Sequence, residues 1–177
     1  MSDHPGSKGR TPKVLPGVEL ENDPEGNPCF GCGPRNLSGM HLRFFDDGEV
    51  VRATLGPRPE WVGWPEMWNL GLVIAGAVET CAWAAWERLG PNRPIGTAGM
   101  EFLGAVRLSK PLLFEARSID KHGYSDVECQ VVQDGACVVK VTIQLAALTR
   151  NEAQQALTAM ALPRSMRPGF EARARPS

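Results

Sequence analysis

The feature that most constrains this chain is the run from Leu70 to Trp86, rich in Ala, Leu, Val and Ile and carrying a single charge, Glu79. That composition favours a helix. Asn69 suits the N-cap, because its side-chain oxygen can accept from a free amide of the first turn. Gly90 suits the left-handed position after the last turn, and Pro91 stops continuation. Such a helix is about 25 Å long. It is apolar almost all round, so it must be buried on most sides. Gly71, Ala75, Gly76, Ala77 and Ala82 are small enough to let another element approach closely. A membrane span is the competing reading. The run is slightly short for one, is broken by Glu79 and is flanked by strand candidates of soluble pattern, so no membrane is expected as a partner.

The flanking segments change period. His41 to Phe45 and Val50 to Leu55 read as short strands joined across Asp46-Asp47-Gly48, a hairpin signal because Asp-Gly tolerates positive φ. A loop rich in Pro and Trp follows, from Gly56 to Trp68. Beyond the helix come Thr97 to Leu103, Leu112 to Ile119, Ser125 to Gln133 and Ala136 to Leu148, the last two flanking Asp134-Gly135. Val139, Val141 and Ile143 alternate with Lys140, Thr142 and Gln144, which predicts one buried and one wet face. Two strands, one helix and four strands predict an α+β domain: an antiparallel sheet of about five to six strands with one long helix packed on it. The domain is expected over 29–149. Residues 1–28 read as a flexible N-terminal arm, and 150–177 as a C-terminal tail with a short helix starting at Asn151. The arginines at 164, 167, 173 and 175 read as a solvated tail rather than a phosphate-binding patch.

A formal net charge of -1 gives no electrostatic case for nucleic acid as a partner. The start lacks the apolar core of a secretory signal, and five cysteines is an odd number, so reduced thiols in the cytoplasm are expected.

Burying an unpaired carboxylate costs several kcal/mol or forces protonation. Glu79 therefore has either a structural partner or a chemical task, and both readings stay open. Cys29-x-x-Cys32 is half of a zinc pattern, but structural zinc takes four ligands and no second pair follows at suitable spacing. A capped turn before the first strand is the ordinary reading, and neither metal nor cofactor is expected. Cys81 reads as a core cysteine, with no His nearby to activate it, and His122 as a turn residue. Trp61, Trp64 and Trp68 crowd the loop before the helix. Packing and an apolar pocket wall are equally good readings of them.

Three features resemble the hotdog thioesterase superfamily, in particular its phenylacetate-pathway and thioesterase-superfamily-member-like branch. Cys29-Phe30-Gly31-Cys32-Gly33-Pro34-Arg35-Asn36, followed by Ser38-Gly39-Met40-His41-Leu42-Arg43-Phe44, resembles that branch's Cys-x-x-Cys-Gly and Asn-Pro-x-Gly-Leu lead into its first strand. A Gly-containing turn opens a long helix that holds an acid. Met100-Glu101-Phe102-Leu103, then Val106 and Pro111, resemble the strand after the helix and its following turn. The likeness spans roughly residues 29 to 148. Where the family has His-Gly-Gly before the helix, this chain has Asn69-Leu70-Gly71, and the acid's slot falls on Glu79 or, one residue earlier, on Val78.

The resemblance implies a hotdog fold and hydrolysis of an acyl-CoA or related thioester. Such a reaction needs a donor that polarises the carbonyl and a group that activates water or attacks. Free amides near Gly71 at the helix N-terminus suit the first task, and Glu79 suits the second as general base or nucleophile. Thr80 could orient Glu79 or water, although a Thr inside a helix more often bonds back to its own backbone. Asn69 could touch the thioester oxygen, although capping is its ordinary role. Trp64, Trp68 and Leu70 are the expected substrate-binding residues. Gly71 and Glu79 lie roughly 12 Å apart along one helix, too far for one carbonyl. The reading therefore requires a homodimer or homotetramer with sites between subunits. The alternative is a non-catalytic hotdog dimer that binds an acyl thioester or another apolar ligand.

Overall fold

The computed structural model describes residues 15–22, 27–90, 95–121 and 124–145. His122, the helix expected from Asn151 and the arginine run lie outside these residues, as does most of the proposed arm. The chain order is β1 (Val18–Glu19), β2 (Phe44–Asp46), β3 (Val51–Leu55), one 3-10 turn (Pro59–Trp61), α1 (Leu70–Leu89), β4 (Ile95–Phe102), β5 (Leu112–Lys121), β6 (Tyr124–Gln133) and β7 (Ala136–Leu145). The strands form one sheet in the order β1-β2-β3-β5-β6-β7-β4, with every pairing antiparallel.

The α+β arrangement follows the sequence expectation, with one correction: the described residues form seven strands rather than five to six. The addition is β1, inside the stretch read as an arm. Val18 and Glu19 pair with Asp46 and Phe45, and Glu19 takes a two-pronged hydrogen bond from Arg43. A second difference lies at His41. Its φ of 54° breaks the extended run, so β2 starts at Phe44 and not at residue 41. The amides of Met40 and Leu42 donate instead to the carbonyls of Phe30 and Gly31, at 2.8 and 2.9 Å. That stitching fixes the cysteine loop in place.

The helix runs from Leu70 to Leu89 with both expected caps. Asn69 accepts from the Gly71 amide, and Gly90 donates its amide to the Trp86 carbonyl with φ 84° and ψ -178°, a positive-φ conformation that suits Gly but is extended rather than left-handed helical. Although α1 is long and apolar enough to cross a membrane, it packs instead across β3, β5, β6 and β7. Val73, Gly76, Ala77, Cys81 and Ala84 are buried on it. They meet the inward residues of the strands, among them Phe114, Ala116, Val127, Val131 and Val141, all fully buried. Gly76 lets the helix come this close: a Cβ there would stand 2.6 Å from Cζ of Phe114. The predicted alternation on β7 holds, with Val139, Val141 and Ile143 fully buried and Lys140, Thr142 and Gln144 less so. Asp134 and Gly135 both take positive φ, 52° and 82°, as a tight hairpin with matching twist requires.

The two sheet edges are unlike. β1 is two residues long. β4 is eight, all of them exposed, with Ile95, Met100 and Phe102 among the large apolar side chains it presents.

Candidate functional site

The segment 29–33 folds as a tight turn. The Gly33 amide donates to the Cys29 carbonyl at 2.9 Å, and the Gly31 amide donates to Cys29 Sγ at 3.3 Å. Two glycines make this possible. A Cβ on Gly33 would sit 2.4 Å from the Cys29 nitrogen, and one on Gly31 would sit 2.7 Å from Cδ of Glu79. Asn27 braces the turn, accepting from the Cys29 amide at 2.9 Å and donating to Cys32 Sγ at 3.4 Å. Asn22 holds Asn27 at 2.8 Å and donates to the Cys32 carbonyl.

The turn lies directly over Glu79. Cys32 Sγ donates to Glu79 Oε1 at 3.0 Å, and Cys29 Sγ lies 3.5 Å from the same oxygen. The two sulfurs and a carboxylate oxygen all fall within 4.8 Å of one another. Among the described residues the partners of Glu79 are thus the two thiols and the Trp83 side chain. Burial pushes the Glu79 carboxyl up to about 7, against the pull of the Cys32 thiol and the Trp83 side chain one turn along. Cys29 moves down, because the Cys32 thiol and the amides of Cys32 and Gly31 all stabilise its thiolate. Cys32 moves up, because its proton is held by Cys29, it is buried, and it faces the Glu79 charge. Spacing alone shows only the Cys29 and Cys32 half of this cluster. Its third donor comes from a helix 47 residues further on, so no local spacing announces it.

The other expected site residues are placed as follows. The Gly71 amide, expected to be free for a carbonyl, donates to Asn69 Oδ1 at 2.9 Å, and the Leu72 and Val73 amides donate to the Asn69 carbonyl at 3.0 and 3.2 Å. Asn69 therefore acts as the cap and covers the amide that the mechanism needs. Thr80 is fully buried and donates to the Gly76 carbonyl at 2.7 Å, so its hydroxyl is used by its own helix. Trp68 is a core residue, 1% exposed. Its indole N–H bonds to the Lys110 carbonyl at 3.1 Å and its ring lies 5.8 Å from that of Trp61. Trp64 and Leu70 are exposed, at 79% and 40%, beside the helix N-terminus. Cys81 is a core cysteine, fully buried. A groove of about 520 Å³ lies between the Trp-rich loop and the turn before β5. It is lined by Pro57, Arg58, Glu66, Arg107 and Leu108 among others, and shares no residue with the Glu79 cluster.

No protein-family model matches the chain, and no curated protein matches it. Solved structures do. A thioesterase superfamily protein aligns with TM-score 0.60 at 17% identity, over 68% of this chain and 63% of that one, so this chain spans less than two thirds of that protein's length. A variant of the phenylacetic acid degradation protein PaaI from Thermus thermophilus aligns with TM-score 0.54 at 16% identity, over 60% of this chain and 92% of that one. A Streptococcus mutans protein solved with acetyl-CoA bound aligns with TM-score 0.53 at 13% identity, over 59% and 86%. At these identities the likeness is one of architecture. One long helix laid across a single antiparallel sheet, in the arrangement of these structures, gives this chain the hotdog fold.

Proposed function

We propose that this chain hydrolyses acyl thioesters of the acyl-CoA type at a site shared between two copies of itself. The observation that carries the reading is Glu79: a partly buried carboxylate on the core helix, with two thiols on its Oε1. A carboxylate so placed can take a proton from water as the water attacks the thioester carbon. The carbonyl oxygen needs a donor, and the helix N-terminus of the second copy supplies it once Asn69 Oδ1 turns away from the Gly71 amide. The open edge of β4 supports pairing, because a long strand with exposed apolar side chains is a template for another chain. Arg58 and Arg107, both on the groove beside the Trp-rich loop, suit the phosphates of a CoA moiety.

Two measurements test this. A panel of acyl-CoA substrates assayed for thiol release should show turnover, reduced about 100-fold in Glu79→Gln. Sedimentation should show a dimer or tetramer. Full activity in the variant removes that carboxylate from the mechanism, and a monomer removes the shared site.

The capped Gly71 amide specifically favours a second reading, a hotdog dimer that binds an acyl thioester without cleaving it. Saturable acyl-CoA binding with no thiol release would establish that one.

A further inference from the structure

We propose that Cys29, Cys32 and Glu79 form a binding site for one Zn²⁺ per chain.

The donor set is right for that ion. Thiolates and a carboxylate oxygen are standard zinc ligands, at about 2.3 Å for sulfur and 2.0–2.2 Å for oxygen. A tetrahedral centre with those bond lengths holds its sulfur and oxygen ligands about 3.5 Å apart. Here the separations from Glu79 Oε1 are 3.0 Å to Cys32 Sγ and 3.5 Å to Cys29 Sγ, and all three donors lie within 4.8 Å of one another. The two sulfur–oxygen separations need to change by only tenths of an ångström to admit the ion.

The backbone around them is also built for it. Cys-x-x-Cys-Gly in a tight turn aims both sulfurs to one side, and the Gly31 amide points at Cys29 Sγ, a bond that stabilises a thiolate. Asn27 contacts both halves of the pair, donating to Cys32 Sγ and holding the Cys29 amide. Partners of this outer kind orient ligands before a metal arrives. Gly31 is pressed so close to the carboxylate that a Cβ there would stand 2.7 Å from Glu79 Cδ, and this approach brings the turn within ligand distance of the helix. A simple capped turn does not require that approach.

Three protein donors leave a fourth tetrahedral position for water or a ligand atom. Occupancy also has a consequence for the hydrolase reading, on which this clause alone rests. A bound ion takes Glu79 Oε1 as ligand and withholds it from water, so zinc regulates the same carboxylate.

The test is metal binding itself. The reduced, metal-free full chain is titrated with Zn²⁺ against a chromophoric chelator, and separately with Co²⁺ while its absorption is followed. One equivalent should bind, with the near-ultraviolet charge-transfer band of cobalt–thiolate bonds. Cys32→Ser should weaken binding by more than the roughly 10- to 100-fold that loss of an outer partner costs. Glu79→Gln, which keeps both thiols, should also weaken it while retaining a thiolate band. No uptake by the reduced chain overturns the proposal, and so does unchanged affinity in Glu79→Gln, which would leave only an ordinary dithiol. Thiol release measured with and without Zn²⁺ separates the two readings. Zinc binding by a chain that hydrolyses nothing keeps the metal site and ends the hydrolase. Hydrolysis by a chain that takes up no zinc does the reverse.

Discussion

The two flanks of α1 carry similar small and apolar residues but treat polar groups differently. On the flank against the sheet, the hydroxyl of Thr80 bonds to the Gly76 carbonyl one turn back. On the flank under the cysteine turn, Glu79 meets two thiols that lie 47 and 50 residues away in sequence. The two positions are adjacent in the chain. A polar group satisfied by its own helix is part of packing. One whose partners arrive from a distant loop, through a turn drawn close by glycine, marks a place where chemistry is assembled.

The sharpest way to break that contrast is to add a side chain at the close approach on each flank. Gly76→Leu drives a side chain into Phe114 in the middle of the core, where a Cβ alone would be 2.6 Å from the ring. The expected loss is about 3 kcal/mol or more in urea unfolding. Gly31→Ala meets Glu79 at 2.7 Å, but the turn can lift. It should cost far less stability while disturbing thiol reactivity and metal uptake.

Next in size is Glu79→Gln. About 100-fold lower turnover corresponds to about 2.7 kcal/mol of barrier. The same variant should unfold no more easily than the parent, because it removes a charge from an apolar surrounding. A large loss of stability would instead make Glu79 a packing residue like its neighbour.

A third measurement takes the end of the helix where the flanks close. Arg88 forks onto Asp46 at 2.8 and 2.5 Å, tying the last turn of α1 to β2. Asp46→Asn should cost about 1–2 kcal/mol. The Arg88 hydrogen bond holds the Asp46 carboxyl below its usual range. Its stabilisation is therefore present above the unfolded-state value near 3.8 and is lost as pH falls through the folded one. Parent and variant should converge in acid and separate toward neutrality.

The smallest effect belongs to Thr80→Val. Removing a hydroxyl that serves only its own helix should change stability by under about 1 kcal/mol and leave turnover unaltered. A drop in turnover would place Thr80 beside Glu79 in function as well as in sequence.

What was legible in the sequence is what local chemistry determines. Asn69 and Gly90 bound α1 because caps act within a few residues, and Asp134-Gly135 makes its turn because both residues tolerate positive φ. The alternation on β7 follows from the two-residue repeat of a strand. The misses are non-local or too short to have a period. β1 is two residues long and exists only because β2 offers it an edge. His41 reads as strand, yet the chain turns there to bond with the cysteine loop. Glu79 stood out by its charge alone. Its partners could not, since each of the cysteines carries no mark of the helix it will face. The cover on the Gly71 amide was legible, because capping is the ordinary work of an Asn in that place.

The bare flank of β4 has a thermodynamic corollary. Among the described residues no strand pairs with the outer side of β4 beside Ile95, Met100 and Phe102, so a second copy seated there, as proposed, would stabilise the fold by mass action. Its melting temperature should then climb with protein concentration, so dilution alone becomes a denaturant.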